Sequence, residues 1–189
     1  MNRHALSIVV VILCGGCRHV ENTPVAVVNL IREVDGAEKR PIGGFEIATR
    51  EIDGQSHPSI VMPVPSRLTI RLPLPRHGLL RAVASIDPDS APVPVRLRVG
   101  VSDNRIYEQL TDVILSPGER HWTVVQTDLS AYAGWQWSLF YRPERTIWGV
   151  VVAADAMGGA PTRAIWGSPE IITDTGSAKE YSERRQRFR

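Results

Sequence analysis

The stretch HWTVVQTDLSAYAGWQWSLFYRP, residues 121–143, decides how this chain is read. It opens with a β-branched apolar run and crosses a short polar connection, Asp128-Leu129-Ser130-Ala131-Tyr132-Ala133-Gly134. It then returns in a second run, apolar and aromatic. Two short runs broken by small and polar residues predict a pair of strands, not a helix. Four of the five tryptophans fall in or just after this stretch, at Trp122, Trp135, Trp137 and Trp148. Trp135, Trp137, Leu139 and Tyr141 share one parity, so a regular strand turns them to one side, as a sandwich core requires.

The same signature extends outward. Residues 95–101 alternate most cleanly, with Val95, Leu97, Val99 and Val101 on one face and Arg96 and Arg98 on the other. Residues 67–72 repeat the pattern and stop at Pro73, which cannot donate to a ladder. Residues 45–52, 59–62, 79–86 and 106–115 read as further strands. Residues 146–154 read as one buried on both faces over Val150, Val151 and Val152, and residues 164–166 and 170–173 close the series. Residues 25–34 fit either a first strand or a short helix, and Gln55-Ser56-His57-Pro58 reads as a connection. Asp53-Gly54 and other turn signals recur every eight to twelve residues, and fourteen prolines and fifteen glycines punctuate the chain. The expected fold is all-β, an antiparallel jelly-roll sandwich of about nine or ten strands over residues 25–175. Residues 176–189 lack any core-forming pattern and are expected to form a short, mobile basic tail.

The formal charge of the whole chain is only +2, which gives no field for nucleic acid. The beginning of the chain carries an address. Arg3 precedes an apolar run over residues 5–13, the length of a signal-peptide core and too short for the ~30 Å hydrocarbon layer of a bilayer. Leu13-Cys14-Gly15-Gly16-Cys17 follows. Read alone, the two cysteines also have the spacing of a Cys-x-x-Cys redox or metal pair, but no strand–helix unit or ligand cluster accompanies them. The five residues resemble the lipobox of bacterial lipoproteins. That resemblance implies cleavage after a signal peptide of residues 1–16, lipid on Cys17, a polar tether over residues 17–24, and the membrane as a partner through the lipid. Arg18 after the cysteine implies sorting to the outer membrane, facing periplasm or surface.

Trp122, the segment 128–134, the run 137–141 and Trp166-Gly167-Ser168-Pro169-Glu170-Ile171 together resemble the jelly-roll modules of the galactose-binding-like superfamily, which include carbohydrate-binding modules. The likeness spans about residues 27–173. It implies a sandwich and, for many members, glycan binding. An envelope-anchored, non-catalytic protein that binds a glycan or other envelope polymer is therefore expected. The alternatives are an assembly partner in an envelope protein complex, and less readily a glycan-acting hydrolase.

Four residues are candidates for ligand contact. Trp135 stands at the edge of its strand, where a ring can be exposed for stacking. His57 is either a hydrogen-bonding anchor or a polar group in a loop-end pocket. Arg96 and Arg98, with Arg67, Arg71 and Arg81, form a basic stripe if their strands are neighbours, or a solvated mixed-charge face if they are not. Asp128 is either a site carboxylate or the cap of a single helical turn, and capping is the expectation. Asp87, Asp89, Asp103 and Asp155 lie in loops without the dense oxygen spacing of a calcium site, so no metal and no cofactor is expected. The sequence has no nucleophile elbow, zinc helix or phosphate-binding loop, and no catalytic residue is assigned.

Overall fold

The structure, a computed structural model, describes residues 23–118, 121–133 and 148–186. The described residues hold eleven strands, two single helical turns and one α-helix. In chain order the strands are β1 (Val25–Asn29), β2 (Glu38–Arg40), β3 (Glu46–Ile52), β4 (Gln55–Val64), β5 (Ser66–Leu72) and β6 (Leu79–Ile86). They continue with β7 (Val95–Ser102), β8 (Tyr107–Leu115), β9 (Thr123–Asp128), β10 (Trp148–Ala156) and β11 (Thr162–Thr173). One sheet has the order β3-β4-β11-β6-β9, with β1 also paired to β11; the other has the order β2-β5-β10-β7-β8. All the pairings are antiparallel. From β4 onward nearly every connection crosses from one sheet to the other, so neighbours in a sheet are seldom neighbours in sequence. This is a jelly-roll sandwich, as expected.

The alternation read from sequence aims the core. Val95, Leu97, Val99 and Val101 of β7 meet Leu68, Ile70 and Leu72 of β5 in one apolar layer between the sheets. Ile60, Met62, Ala84 and Trp166 enter it from the other sheet. Val150, Val151 and Val152 are all buried, so β10 is covered on both faces as its apolar run predicts. β11 is covered twice as well. Trp166 faces the core, while Ile165 joins Val61 and Ile52 in a separate apolar cluster on the outer face, against which Trp122 packs. Trp166 plugs the core, with no exposed surface.

Several boundaries differ from the expectation. Residues 25–34 divide into strand and helix: β1 is followed by a turn at Leu30–Glu33 whose first free N–H, that of Ile31, is capped by the Asn29 side chain at 3.0 Å. Gln55-Ser56-His57-Pro58 is strand, not connection, because the hairpin turn is completed by Asp53 and Gly54 alone. Residues 164–166 and 170–173 belong to one strand with an irregularity between Gly167 and Glu170. The second strand of the stretch at 121–143, with Trp135 and Trp137, lies outside the described residues, as do Cys17 and the leader.

The largest correction concerns the basic tail. Thr175–Gln186 is an α-helix, α1, packed on the sandwich with Tyr181 and Ser177 buried. It has no apolar stripe, yet three other devices hold it. Asp174 caps its start, accepting from the Ser177 N–H at 2.9 Å and the Ser177 hydroxyl at 2.7 Å. Arg184 donates to the carbonyls of Ala133 and Leu74, and Arg185 to Glu33. Arg184 and Arg185 are thus tethers to the body of the protein.

Asp128 behaves as expected of a cap: its Oδ1 accepts from the Ser130 N–H at 2.8 Å, at the entry to the helical turn Ser130–Tyr132.

Replacing the buried indole by Trp166→Ala removes the largest core side chain, at an expected cost of about 3–5 kcal/mol in urea unfolding and roughly 10 °C in Tm. A loss under 1 kcal/mol would contradict its place in the core. Acid should also loosen the fold. Hydrogen bonds from Ser130 hold Asp128 below its ordinary 3.8, and those from Ser177 do the same for Asp174. A depressed carboxylate stabilises the folded state above its unfolded pKa and loses that contribution as pH falls through the folded value. Stability measured in urea should be level from about pH 7 to about pH 5 and decline below about pH 4. Asp174→Asn keeps the acceptor but not the charge, and should make that decline shallower.

Candidate functional site

Pairing register places the outward side chains of the β2-β5-β10-β7-β8 sheet in rows that cross it. One row holds Arg40, Arg67, Ala153, Arg98 and Asp112. The next holds Glu38, Thr69, Val151, Gly100 and Gln109, and the one after it Arg71, Gly149, Ser102 and Tyr107. The middle of each row is small and the flanks are long. The outer face is therefore a trough, floored by Val151 and Ala153 and walled by arginines and Tyr107.

Its deepest part is a groove of about 410 Å³, lined by Arg40, Arg67, Arg98, Tyr107 and Asp155 above that apolar floor, with Pro41 and Pro65 at one end. Tyr107 reaches across from the edge strand β8 and lies over Gly100. A Cβ at Gly100 would sit 2.6 Å from the phenol ring and 2.3 Å from the Glu108 carbonyl oxygen, so only glycine admits this packing. The ladder shifts register at the same point, between Val99 and Gly100. The Arg67 guanidinium caps the ring, 4.9 Å from its centroid. The Tyr107 hydroxyl is buried with no hydrogen-bond partner, and so is Nε of Arg98. Burial pushes the Tyr107 phenol above its ordinary pKa, against the opposing pull of Arg98 and Arg67.

The arginine stripe is half realised. Arg67, Arg71, Arg96 and Arg98 share this face, on β5 and β7 with β10 between them; Arg81 is on the other sheet, paired with Glu170 at 2.6 Å. Most of the others are paired too. Arg96 meets Asp112 at 3.0 Å, Arg71 meets Glu38 at 3.6 Å, and Arg98 bonds Asp155. Glu38 also accepts from Arg40, and that hydrogen bond lowers its pKa. The face is a mixed-charge lattice, with Arg67 the one of these arginines given to a ring.

His57 lies on the other sheet, away from the groove. Its Nδ1 is 3.0 Å from the Ser168 hydroxyl, and its ring meets Trp122 edge-on with centroids 5.0 Å apart. Gly167 allows this closeness, because a Cβ there would meet Val83, His57 and Trp122 at about 3 Å. Trp122 is held in turn by its indole N–H, which donates to the Gln55 carbonyl at 3.0 Å. Ser168 has a positive φ of 45°, and His57 steadies it in the irregular part of β11. The geometry is that of a hydrogen-bonding anchor. Asp87 is buried between Arg50 and Arg163, at 3.7 and 3.6 Å, while Asp103 accepts from the N–H groups of its own loop. Asp87 and Asp89 adjoin, the Asp89 N–H donating to Asp87 Oδ1 at 3.2 Å, and no cluster of three or more metal-binding side chains occurs among the described residues. Exposed apolar residues are spread over separate elements: Ile42, Ile47, Ile106, Ile114, Val124 and Met157.

Of the four candidate ligand residues, Arg98 lines the groove, Arg96 flanks it, His57 is elsewhere, and Trp135 lies outside the described residues. Tyr107 and Arg67 complete the site, and Tyr107 was not a candidate from sequence. Its signal was Gly100, a glycine inside the cleanest strand pattern, which marks a close approach.

No protein-family profile matches the sequence, and no curated protein sequence is similar to it. Solved structures similar in shape are carbohydrate-binding modules. The CBM51-2 and INT domains of Clostridium perfringens ZmpB share 9% identity over 82% of this chain, with a TM-score of 0.48; the chain spans only 29% of that protein's length. The TmCBM61 module in complex with β-1,4-galactotriose shares 10% identity over 79% of this chain and 99% of the module, also at 0.48. The xylan-binding module CBM15 shares 11% identity over 82% of this chain and 97% of the module, at 0.44. Likenesses at this level carry no argument about what this chain binds.

Gly100→Ala should displace Tyr107. We expect a loss of about 1–3 kcal/mol in urea unfolding. In ultraviolet titration, one of the three phenols held above the ordinary 10, those of Tyr107, Tyr132 and Tyr181, should move back toward it. An unchanged titration curve would mean that Tyr107 does not lie over Gly100.

Proposed function

We propose that this protein is a membrane-anchored, non-catalytic envelope lipoprotein that holds a glycan in the groove across the outer face of its five-stranded sheet. The observation that carries the reading is the groove itself, walled by Arg40, Arg67, Arg98 and Tyr107, with Tyr107 held under the Arg67 guanidinium. A concave site with a few convergent polar groups is where a small polar ligand usually docks. Pro41 and Pro65, exposed at one end of the groove, suit the C–H face of a sugar ring, and the polar wall suits its oxygens. Arg67 and the packing over Gly100 fix Tyr107 in place, so little ordering is left for binding to supply.

The leader supports the anchor. Lipid on Cys17 leaves the tether of residues 17–24 before β1 begins at Val25. Mass spectrometry of the mature amino terminus tests this part, and an unmodified Cys17 with the leader retained removes it. For the binding part, the full chain in detergent is titrated against a panel of neutral and charged polysaccharides and cell-wall polymers. At least one should bind, and Tyr107→Ala should weaken it by about tenfold or more. Absence of binding across the panel overturns the reading.

A further inference from the structure

We infer that the glycan of this groove is anionic, its carboxylate, sulfate or phosphate group received by Arg67 and Arg98. The inference rests on the reading of the groove as a glycan site and adds the chemical class of the ligand. It comes from the balance of donors and acceptors on the groove wall.

Arg40, Arg67 and Arg98 line the groove, with Asp155 as the carboxylate among its lining residues. Asp155 is taken by a terminal nitrogen of Arg98. Arg40 spends its donors on Glu38, at 2.9 and 2.6 Å. Arg67 has no carboxylate within ion-pair distance among the described residues; one face of its guanidinium rests on Tyr107. An arginine held over a ring without a carboxylate partner still has guanidinium N–H groups to offer a ligand. Nε of Arg98 and the Tyr107 hydroxyl are unpartnered as well. The guanidinium N–H groups are donors alone, while the Tyr107 and Ser66 hydroxyls and Oδ1 of Asp155 can also accept.

Neutral sugar hydroxyls donate as well as accept, and the guanidinium of Arg67 offers their protons no acceptor. An oxyanion has only acceptors, and arginine takes carboxylate or phosphate through two parallel bonds. The charge agrees: five guanidiniums, of Arg40, Arg67, Arg71, Arg96 and Arg98, face three carboxylates, of Glu38, Asp112 and Asp155, across this sheet. The surplus sits at the groove, because Arg67 is the member without a carboxylate.

The test compares the full chain with Arg67→Ala, Arg98→Ala and Arg96→Ala, each checked for an unchanged Tm. Arg96 shares the face but is bonded to Asp112 and does not line the groove, so its variant controls for general charge. Binding is measured by affinity electrophoresis and calorimetry against four matched polymers: polygalacturonate, its methyl ester, dextran sulfate and dextran. Polyphosphate is the probe for simple charge. We expect the charged polymers to bind and their neutral counterparts not to. Loss of about tenfold or more is expected in the Arg67 and Arg98 variants and none in the Arg96 variant. Preference for polygalacturonate identifies a carboxylate ligand, and preference for dextran sulfate an ester. Equal or stronger binding of the methyl ester or dextran overturns the inference and leaves the glycan-binding function standing. No binding of any polysaccharide overturns both. Polyphosphate bound as well as the best polymer, with equal losses in all three variants, overturns the inference in favour of nonspecific charge attraction.

Discussion

Everything in this sandwich depends on burying two strands on both of their faces. β10 lies at the centre of one sheet and β11 near the centre of the other, joined by the short connection at residues 157–161. Between them, Val150, Val152, Ala164 and Trp166 build the shared core. Their opposite faces are covered too, Val151 and Ala153 in the trough and Ile165 beneath Trp122. A strand buried once can be edged by solvent; a strand buried twice must be roofed. The roof over Ile165 is an indole braced by His57. The trough on the other side is closed only in part, by Tyr107 and the arginines, and that partial closure leaves the groove.

How far the fold was legible follows from which forces leave a period. β5 and β7 alternate every second residue because one face meets the core, and both were readable to within a residue or two. β1 and β2 are too short to show a period. Gln55 to Pro58 look like a loop because proline and polar residues crowd there, yet β4 pairs through them. α1 was unreadable for a different reason. Its attachment comes from a cap, one buried tyrosine and guanidinium-to-carbonyl bonds, none of which produces an apolar stripe.

The site shows the same division. Strand parity placed Arg96 and Arg98 on one outward face, but parity does not say which sheet a strand joins, so Arg81 was grouped with residues from which the fold separates it. Tyr107 belongs to a long edge strand whose pattern gives no signal; its importance comes from Gly100, diagonally across on β7, and only a register brings the two together. Charge counting alone would have taken the arginines as a basic patch. Pairing reduces that patch to a lattice, in which the exception, Arg67, matters more than the total.

The position of the two central strands late in the chain has a consequence for how the molecule is made. A ribosome delivers β2 through β9 before β10 and β11 exist, and without those two strands each sheet falls into separate pieces. β5 has no neighbour on its β10 side, β4 and β6 have nothing between them, and the face that Trp166 fills is open. The emerging chain therefore stays uncommitted until residue 173 is free, and then both layers can close together.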